Sequence, residues 1–225
     1  MDIDVNGIKI HYEVLGEGKT IIILNPNNVN TSIMRSIGRK LSKNFKVYLV
    51  DRRCCGKSTR DCELTYEESA NDIYKLINKL NLDKPYVLGS SGGASVLLYL
   101  ASMYPDSISK IVLCSGVARK EKVKLPDYSL KMRKLKWYPG KKNVEKFFQL
   151  VENARDLTEE DLRKIKAKTL VVNGGVKDIV SVEEAKYLAN NIKDSKLLIL
   201  EKENHGSYIR NCNRWYEKLI EFLNE

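Results

Sequence analysis

A chain of 225 residues with 43% hydrophobic side chains can build one sizeable core and stays within single-domain range. The apolar runs TIIIL and ASVLLYLASMY are too short to span a bilayer, and the opening MDIDVNGIKI lacks the basic-then-apolar pattern of an export signal. Cys54, Cys55, Cys62, Cys114 and Cys212 form no C-x-x-C pair and no metal spacing. That odd count without an export signal predicts reduced thiols in a cytoplasm, and no metal or cofactor is expected.

Along the chain, short apolar strands alternate with amphipathic helices. GIKIHYEV and TIIIL read as strands, TSIMRSIGRKLSK as a helix and KVYLVD as a strand. Thr65-Tyr66-Glu67-Glu68 reads as a capping box, followed by Ala70, Ile73, Ile77 and Leu80 at helical spacing. PYVLG is a strand, GGASVLLYLASMY a helix and ISKIVLCSG a strand. Residues 117–168 then show helical patterns without a strand, and KTLVVNG resumes the alternation. Ser181 caps the helix EEAKYLANNI, SKLLILE is a strand, and Trp215, Leu219 and Phe222 or Leu223 share one face of a last helix. Such alternation predicts an α/β fold with a largely parallel sheet covered on both faces. There is no internal repeat and no low-complexity tract.

The formal net charge of +10 is concentrated in the break. Residues 117–168 carry 16 basic and 8 acidic side chains, and the rest of the chain is nearly balanced. The plain reading is a solvated helix face, with attraction of an anionic substrate or adhesion to an acidic surface as sharper readings. No nucleic-acid partner is expected, and the oligomeric state is not legible.

Gly89-Ser90-Ser91-Gly92-Gly93 lies at a strand-to-helix junction and fits G-x-S-x-G. In that context a nucleophile sits on a strained turn, with the helix amino end aimed at it and small residues where strand and helix nearly touch. The motif's geometry selects Ser91 over Ser90. A phosphate cradle fails on spacing: the segment ending Gly56-Lys57-Ser58 has Asp51 where a P-loop needs glycine. A serine nucleophile needs a base and an orienting acid. Of the two histidines, His11 lies in an early strand, whereas His205 follows the last strand, where the sites of open parallel sheets gather. Asp178 follows the strand KTLVVNG, so the order Ser91, Asp178, His205 is the one this strand–turn–helix arrangement requires.

Nearly the whole chain resembles the α/β-hydrolase superfamily. GIKIHYEVLGEGKTIIIL resembles its first hairpin and third strand, and DRRCCGKST resembles its D-x-R-G-x-G-x-S loop. The resemblance implies an eight-stranded, mostly parallel sheet with helices on both faces. The core would be 1–116 and 169–225, with a small helical cap at 117–168. It also implies a serine hydrolase acting on a small-molecule ester, thioester or amide through an acyl-enzyme. The alternative is a triad-bearing but non-hydrolytic relative, either a ligand-binding protein or a lyase or acyltransferase on the same fold. The family's usual His-Gly after the third strand is here Asn25-Pro26, and Cys54 replaces a family glycine. Pro26 has no N–H, so the oxyanion donors would be the amides of Asn27 and Gly92. The substrate pocket is expected to draw on Asn28, Ser90, Trp137, Tyr138 and Phe147, with Tyr128, Leu130 and Phe148 as further apolar candidates. Binding there is expected to be mainly apolar, with the cap's charge secondary.

Overall fold

Alternate residues of the central strands feed two separate cores, as the two-residue period of a strand requires. In the computed structural model, which describes residues 1–123, 134–135, 141–175 and 178–225, eight strands form one sheet. They are β1 (Asp2–Val5), β2 (Ile8–Leu15), β3 (Lys19–Leu24), β4 (Phe45–Asp51), β5 (Tyr86–Ser90), β6 (Lys110–Cys114), β7 (Lys168–Gly174) and β8 (Ser195–Leu200). Their spatial order is β1-β2-β4-β3-β5-β6-β7-β8. β1 with β2 and β2 with β4 are antiparallel, and every other neighbouring pair is parallel.

Ile22, Leu24, Val87, Ile111 and Val171 face one core, and Ile21, Ile23, Leu88, Val112 and Val172 face the other. The first core takes α2 (Tyr66–Lys79), α3 (Gly92–Met103) and α6 (Val182–Asn191). The second takes α1 (Arg35–Leu41), α7 (Ser207–Arg210) and α8 (Tyr216–Asn224), with Trp215, Leu219, Phe222 and Leu223 buried. α3 is buried almost all round, which explains its continuous apolar run.

Residues 31–43 do not form one helix. Thr31–Met34 is a 3₁₀ turn capped by Asn30, and α1 follows. Between β6 and β7 the described residues form a 3₁₀ turn at Lys120–Lys122, α4 (Lys141–Asn153) and α5 (Glu159–Arg163). Leu157, Leu162 and Ile165, in and around α5, join the first core, so the end of the 117–168 segment is packed under the sheet's helices. Among the described residues no helix is long and apolar enough to cross a membrane.

The expected capping box at Thr65 is only half formed. Thr65 Oγ1 accepts the Glu68 N–H at 3.0 Å, but the Glu68 carboxylate turns to Arg53 and Asn71. Glu184 likewise leaves its helix end: wholly buried, it accepts the N–H groups of Ala118 and Arg119 at 2.8 and 3.0 Å. A reciprocal box forms instead at Thr158 and Asp161. At Glu68 and Glu184 a buried or ionic partner outweighs the local cap.

The tightest packing is at the β5–α3 junction. A Cβ on Gly93 would stand 2.6 Å from the backbone oxygens of Leu24 and Asn25, and one on Gly89 would stand 2.5 Å from the Gly93 oxygen. Neither neighbour is a flexible side chain, so main chain must move. Gly93→Ala is expected to cost about 2–3 kcal/mol by overpacking, read as a lower urea midpoint with an unchanged m-value. Gly7, with nothing within 4 Å of its Cβ position but φ +73°, serves as the control for conformational cost alone.

Candidate active site

Ser91 sits between β5 and α3 with φ 51° and ψ −121°, a conformation that costs a non-glycine residue about 1–3 kcal/mol. The turn is held from both sides. The Ser91 N–H donates to the Cys114 oxygen at 2.8 Å, and the Ser91 oxygen accepts from Ala94 and Ser95 at 2.8 and 3.0 Å. This presents Oγ at the carboxyl edge of the sheet, 3.1 Å from His205 Nε2. His205 Nδ1 lies 2.8 Å from Asp178 Oδ1. His205 follows β8 in a loop where the Asn204 N–H donates to Ser207 Oγ and Gly206 takes φ 79°. His11 lies elsewhere, in β2, with Nδ1 2.6 Å from Asp2 on β1.

Asp178 is buried at the end of β7 and accepts four bonds. Oδ1 takes His205 and the Val180 N–H at 3.1 Å, and Oδ2 takes the Gly174 N–H at 2.9 Å and Ser115 Oγ–H at 2.7 Å. Burial acts to raise its pKa, but the His205, Ser115 and Val180 donors outweigh it and hold the carboxyl below its ordinary value. Ser115 belongs to none of the motifs in the sequence. It stands just past β6 at φ 51° and also bonds the hydroxyl of the buried Tyr208. Its position beyond a strand's carboxyl end was the available signal.

Opposite Ser91, the segment after β3 carries Asn25, Pro26 and Asn27. Asn25 is fully buried, and its side chain ties the turn by bonding the Pro26 and Val29 oxygens and accepting the Arg52 N–H. The Asn27 and Gly92 amides donate to no protein acceptor among the described residues. The Asn27 side chain fills the space that a Cβ on Gly92 would need. Asn28, at φ 57°, accepts from Asn143 of α4 at 2.6 Å.

A cleft of about 600 Å³ opens over Ser91 and His205. Phe147, Phe148, Val144 and Val151 of α4 form one wall, with Asn27, Asn28 and Tyr66 on another. Burial pushes the Tyr66 phenol up, so it stays protonated. Ser90, expected in the pocket, does not line the cleft. It ends β5 on the same face as Leu88, toward the second core, because side chains alternate along a strand. Trp137, Tyr138, Tyr128 and Leu130 lie outside the described residues. Among the described residues no three His, Cys, Asp or Glu side chains are gathered to hold a metal ion.

Among the described residues four charged side chains line the cleft, and of these two cations and the anion are engaged. Lys120 Nζ bonds the Glu152 and Ala154 oxygens at 3.0 and 3.1 Å, and Arg155 pairs with Asp161 at 2.7 Å. Asp156 accepts the Lys120 N–H at 2.9 Å, and Arg210 stands exposed at the rim.

The sequence profile of the alpha/beta hydrolase fold family matches residues 19–154. The chain belongs to that family. Among curated relatives of this hydrolase-family chain, the AB hydrolase superfamily protein YisY of Bacillus subtilis is 27% identical over 96% of this chain and 96% of its own. The serine hydrolase BPHL of mouse is 26% identical over 97% of this chain and 84% of its own. Among solved structures, the enol-lactonase of Burkholderia xenovorans superposes with a TM-score of 0.84 at 22% identity, over 100% of both chains.

The geometry generates two expectations. With its pKa already lowered, Asp178 remains ionised down to below its ordinary value of 3.8, so it supplies no inflection in a rate profile between pH 5 and 9. Its contribution to stability is present above the unfolded value and is lost as pH falls through the lower folded one. Asp178→Asn is expected to lower kcat by on the order of 10⁴ at pH 7, measured on the best substrate of a hydrolase panel. Second, burial and the neighbouring Cys62 push the Cys54 thiol up to about 12, so iodoacetamide at pH 8 should leave it unmodified and activity intact. Mass spectrometry of the treated protein checks this.

Proposed function

We propose that this protein is a serine hydrolase that cleaves a neutral small-molecule carboxylic ester through an acyl-enzyme. The observation that carries the reading is the continuous relay of Ser91, His205 and Asp178 at 3.1 and 2.8 Å, with the serine on a strained turn. Ser91 Oγ attacks the carbonyl carbon while His205 Nε2 takes its proton. Asp178 fixes the tautomer that leaves Nε2 unprotonated and stabilises the imidazolium that forms. The Asn27 and Gly92 backbone N–H groups, free of acceptors among the described residues, receive the oxyanion. Collapse of the tetrahedral adduct breaks the bond to the leaving group, which takes the proton from His205. Water then attacks the acyl-enzyme with His205 again as base, releasing the acid and Ser91.

In this reading the part of residues 117–168 that carries α4 acts as the cap and forms the acyl or leaving-group wall, while the end of the segment belongs to the first core. Phe147, Phe148, Val144 and Val151 supply an apolar surface, and the engaged states of Lys120 and Arg155 favour a neutral substrate over an anionic one. The names of the relatives, a serine hydrolase and an enol-lactonase among them, are in keeping with attack on an acyl carbonyl.

A fluorophosphonate probe tests the chemistry. Stoichiometric labelling at Ser91 is expected, and Ser91→Ala should lower kcat by on the order of 10⁶, with the Ser91–His205 double replacement costing little more. Near-native activity of Ser91→Ala on the best substrate rules the covalent route out. For substrate class, kcat/KM for a neutral and a carboxylate-bearing ester of similar size is compared at low and moderate salt. The neutral ester should be preferred with little salt dependence, whereas a preference for the anion that collapses with salt reverses the assignment.

A further inference from the structure

Two arginines follow Asp51 at the end of β4, and both are buried, but only one is neutralised. Arg53 makes a two-pronged bond to Asp72 at 2.6 and 2.8 Å and also pairs with Glu68. Arg52 is 1% exposed and pairs with no carboxylate of the described residues. Its Nε donates to the Asn25 backbone oxygen and its Nη2 to Asn27 Oδ1, both at 2.9 Å. Its Nη1 has no hydrogen-bond partner among the described residues.

The place of this unpaired charge is specific. β4 lies beside β3 in parallel, so Arg52 stands directly behind the segment that leaves β3 toward Ser91. The side chain it grips, Asn27, rests on the Cα of Gly92. The guanidinium is therefore one side chain behind Asn27 and Gly92, which line the cleft with Ser91 and whose backbone N–H groups are the oxyanion donors of the reading above. A buried cation without an anion is costly, and groups held at such a cost gather at functional sites. Acyl transfer brings a negative charge to that spot only in the tetrahedral state.

We infer that Arg52 is a positioning residue for the oxyanion site: it holds Asn27 in place through its side chain and backs the two amides with a full positive charge in a water-poor setting. The inference rests on the serine-hydrolase reading above. It also accounts for the Asn25-Pro26-Asn27 sequence. Pro26 removes one donor from the turn, and Arg52 fixes the backbone on one side of it and the Asn27 side chain on the other. Since the negative charge exists only in the tetrahedral state, Arg52 should act on kcat and hardly on KM.

The test uses the full chain with a neutral p-nitrophenyl ester, and with phenylboronic acid, which forms an O–B bond to Ser91 and gives an anionic tetrahedral adduct. Arg52→Gln is expected to lower kcat about 10–100-fold with KM within about threefold, and to weaken boronic acid binding in parallel. Arg52→Lys, which keeps the charge, should recover most of both. Asn27→Ala keeps its amide but cuts the link to Arg52, and should lose kcat in the same manner; it carries the test if Arg52→Gln melts below the assay temperature. Unchanged kcat in both Arg52→Gln and Asn27→Ala, or a kcat loss without any loss of boronic acid affinity, overturns the inference while leaving the hydrolase reading intact. A wild type that takes neither the fluorophosphonate label nor the boronic acid overturns both.

Discussion

The crossing of β5 and α3 under β3 is the constraint on which the site depends. Three chain segments meet there with no side chain between them, because Gly89 and Gly93 bring main chain against main chain. That contact fixes where α3 begins, and so where its first free N–H points. It also compels the intervening residue to take φ 51°, which lifts its side chain clear of both strand and helix. The strain at Ser91 is stable because the surrounding packing over-determines it: two glycines without room for a Cβ, a hydrogen bond from the Ser91 N–H to the Cys114 oxygen, and hydrogen bonds to the Ser91 oxygen from Ala94 and Ser95.

Around that point the sheet places each partner by the same device. Ser91, Ser115, Asp178 and His205 all follow the carboxyl ends of parallel strands, β5, β6, β7 and β8, which are neighbours in the sheet. Adjacent parallel strands stand about 4.8 Å apart, so short loops suffice to bring four polar side chains into one chain of hydrogen bonds. The second core beneath, with Trp215, Leu219 and Phe222, holds this edge rigid from the other face. Tyr208 crosses from that core to reach Ser115, tying the acid's support to the packing of the last helices.

Charge is handled differently inside the molecule and on its surface. The basic residues seen at the cleft are mostly spent on carbonyl oxygens and nearby carboxylates, where they order the chain between β6 and β7. Buried Glu184 does the same from α6, accepting from Ala118 and Arg119 and pairing with the Arg119 guanidinium at 2.7 Å. These contacts anchor the start of the segment that carries α4, and Asn143 meets Asn28 from its other side. The apolar wall of the cleft is thereby set between two polar fastenings.

Much of this was legible in the sequence. The alternation of apolar strands with helices determines the layered α/β sheet, because a continuously apolar strand must be covered on both faces. The glycines around Ser91 were readable for a steric reason, and Asp178 and His205 for their place beyond strand ends. Tertiary structure decided what depends on partners far along the chain. Ser115 supports Asp178 across 63 residues, and its place just past β6 does not by itself say which side chain it will meet. Glu68 and Glu184 look like helix caps by spacing but are claimed by Arg53 and by the Ala118–Arg119 backbone, since a charged partner in a buried place outweighs an exposed cap. Ser90 turns away from the cleft through strand parity, and Arg52, read only as part of a loop motif, becomes an unpaired buried charge once β3 and β4 lie side by side. Sequence spacing reports which residues share an element, whereas burial and charge pairing are properties of the packed whole.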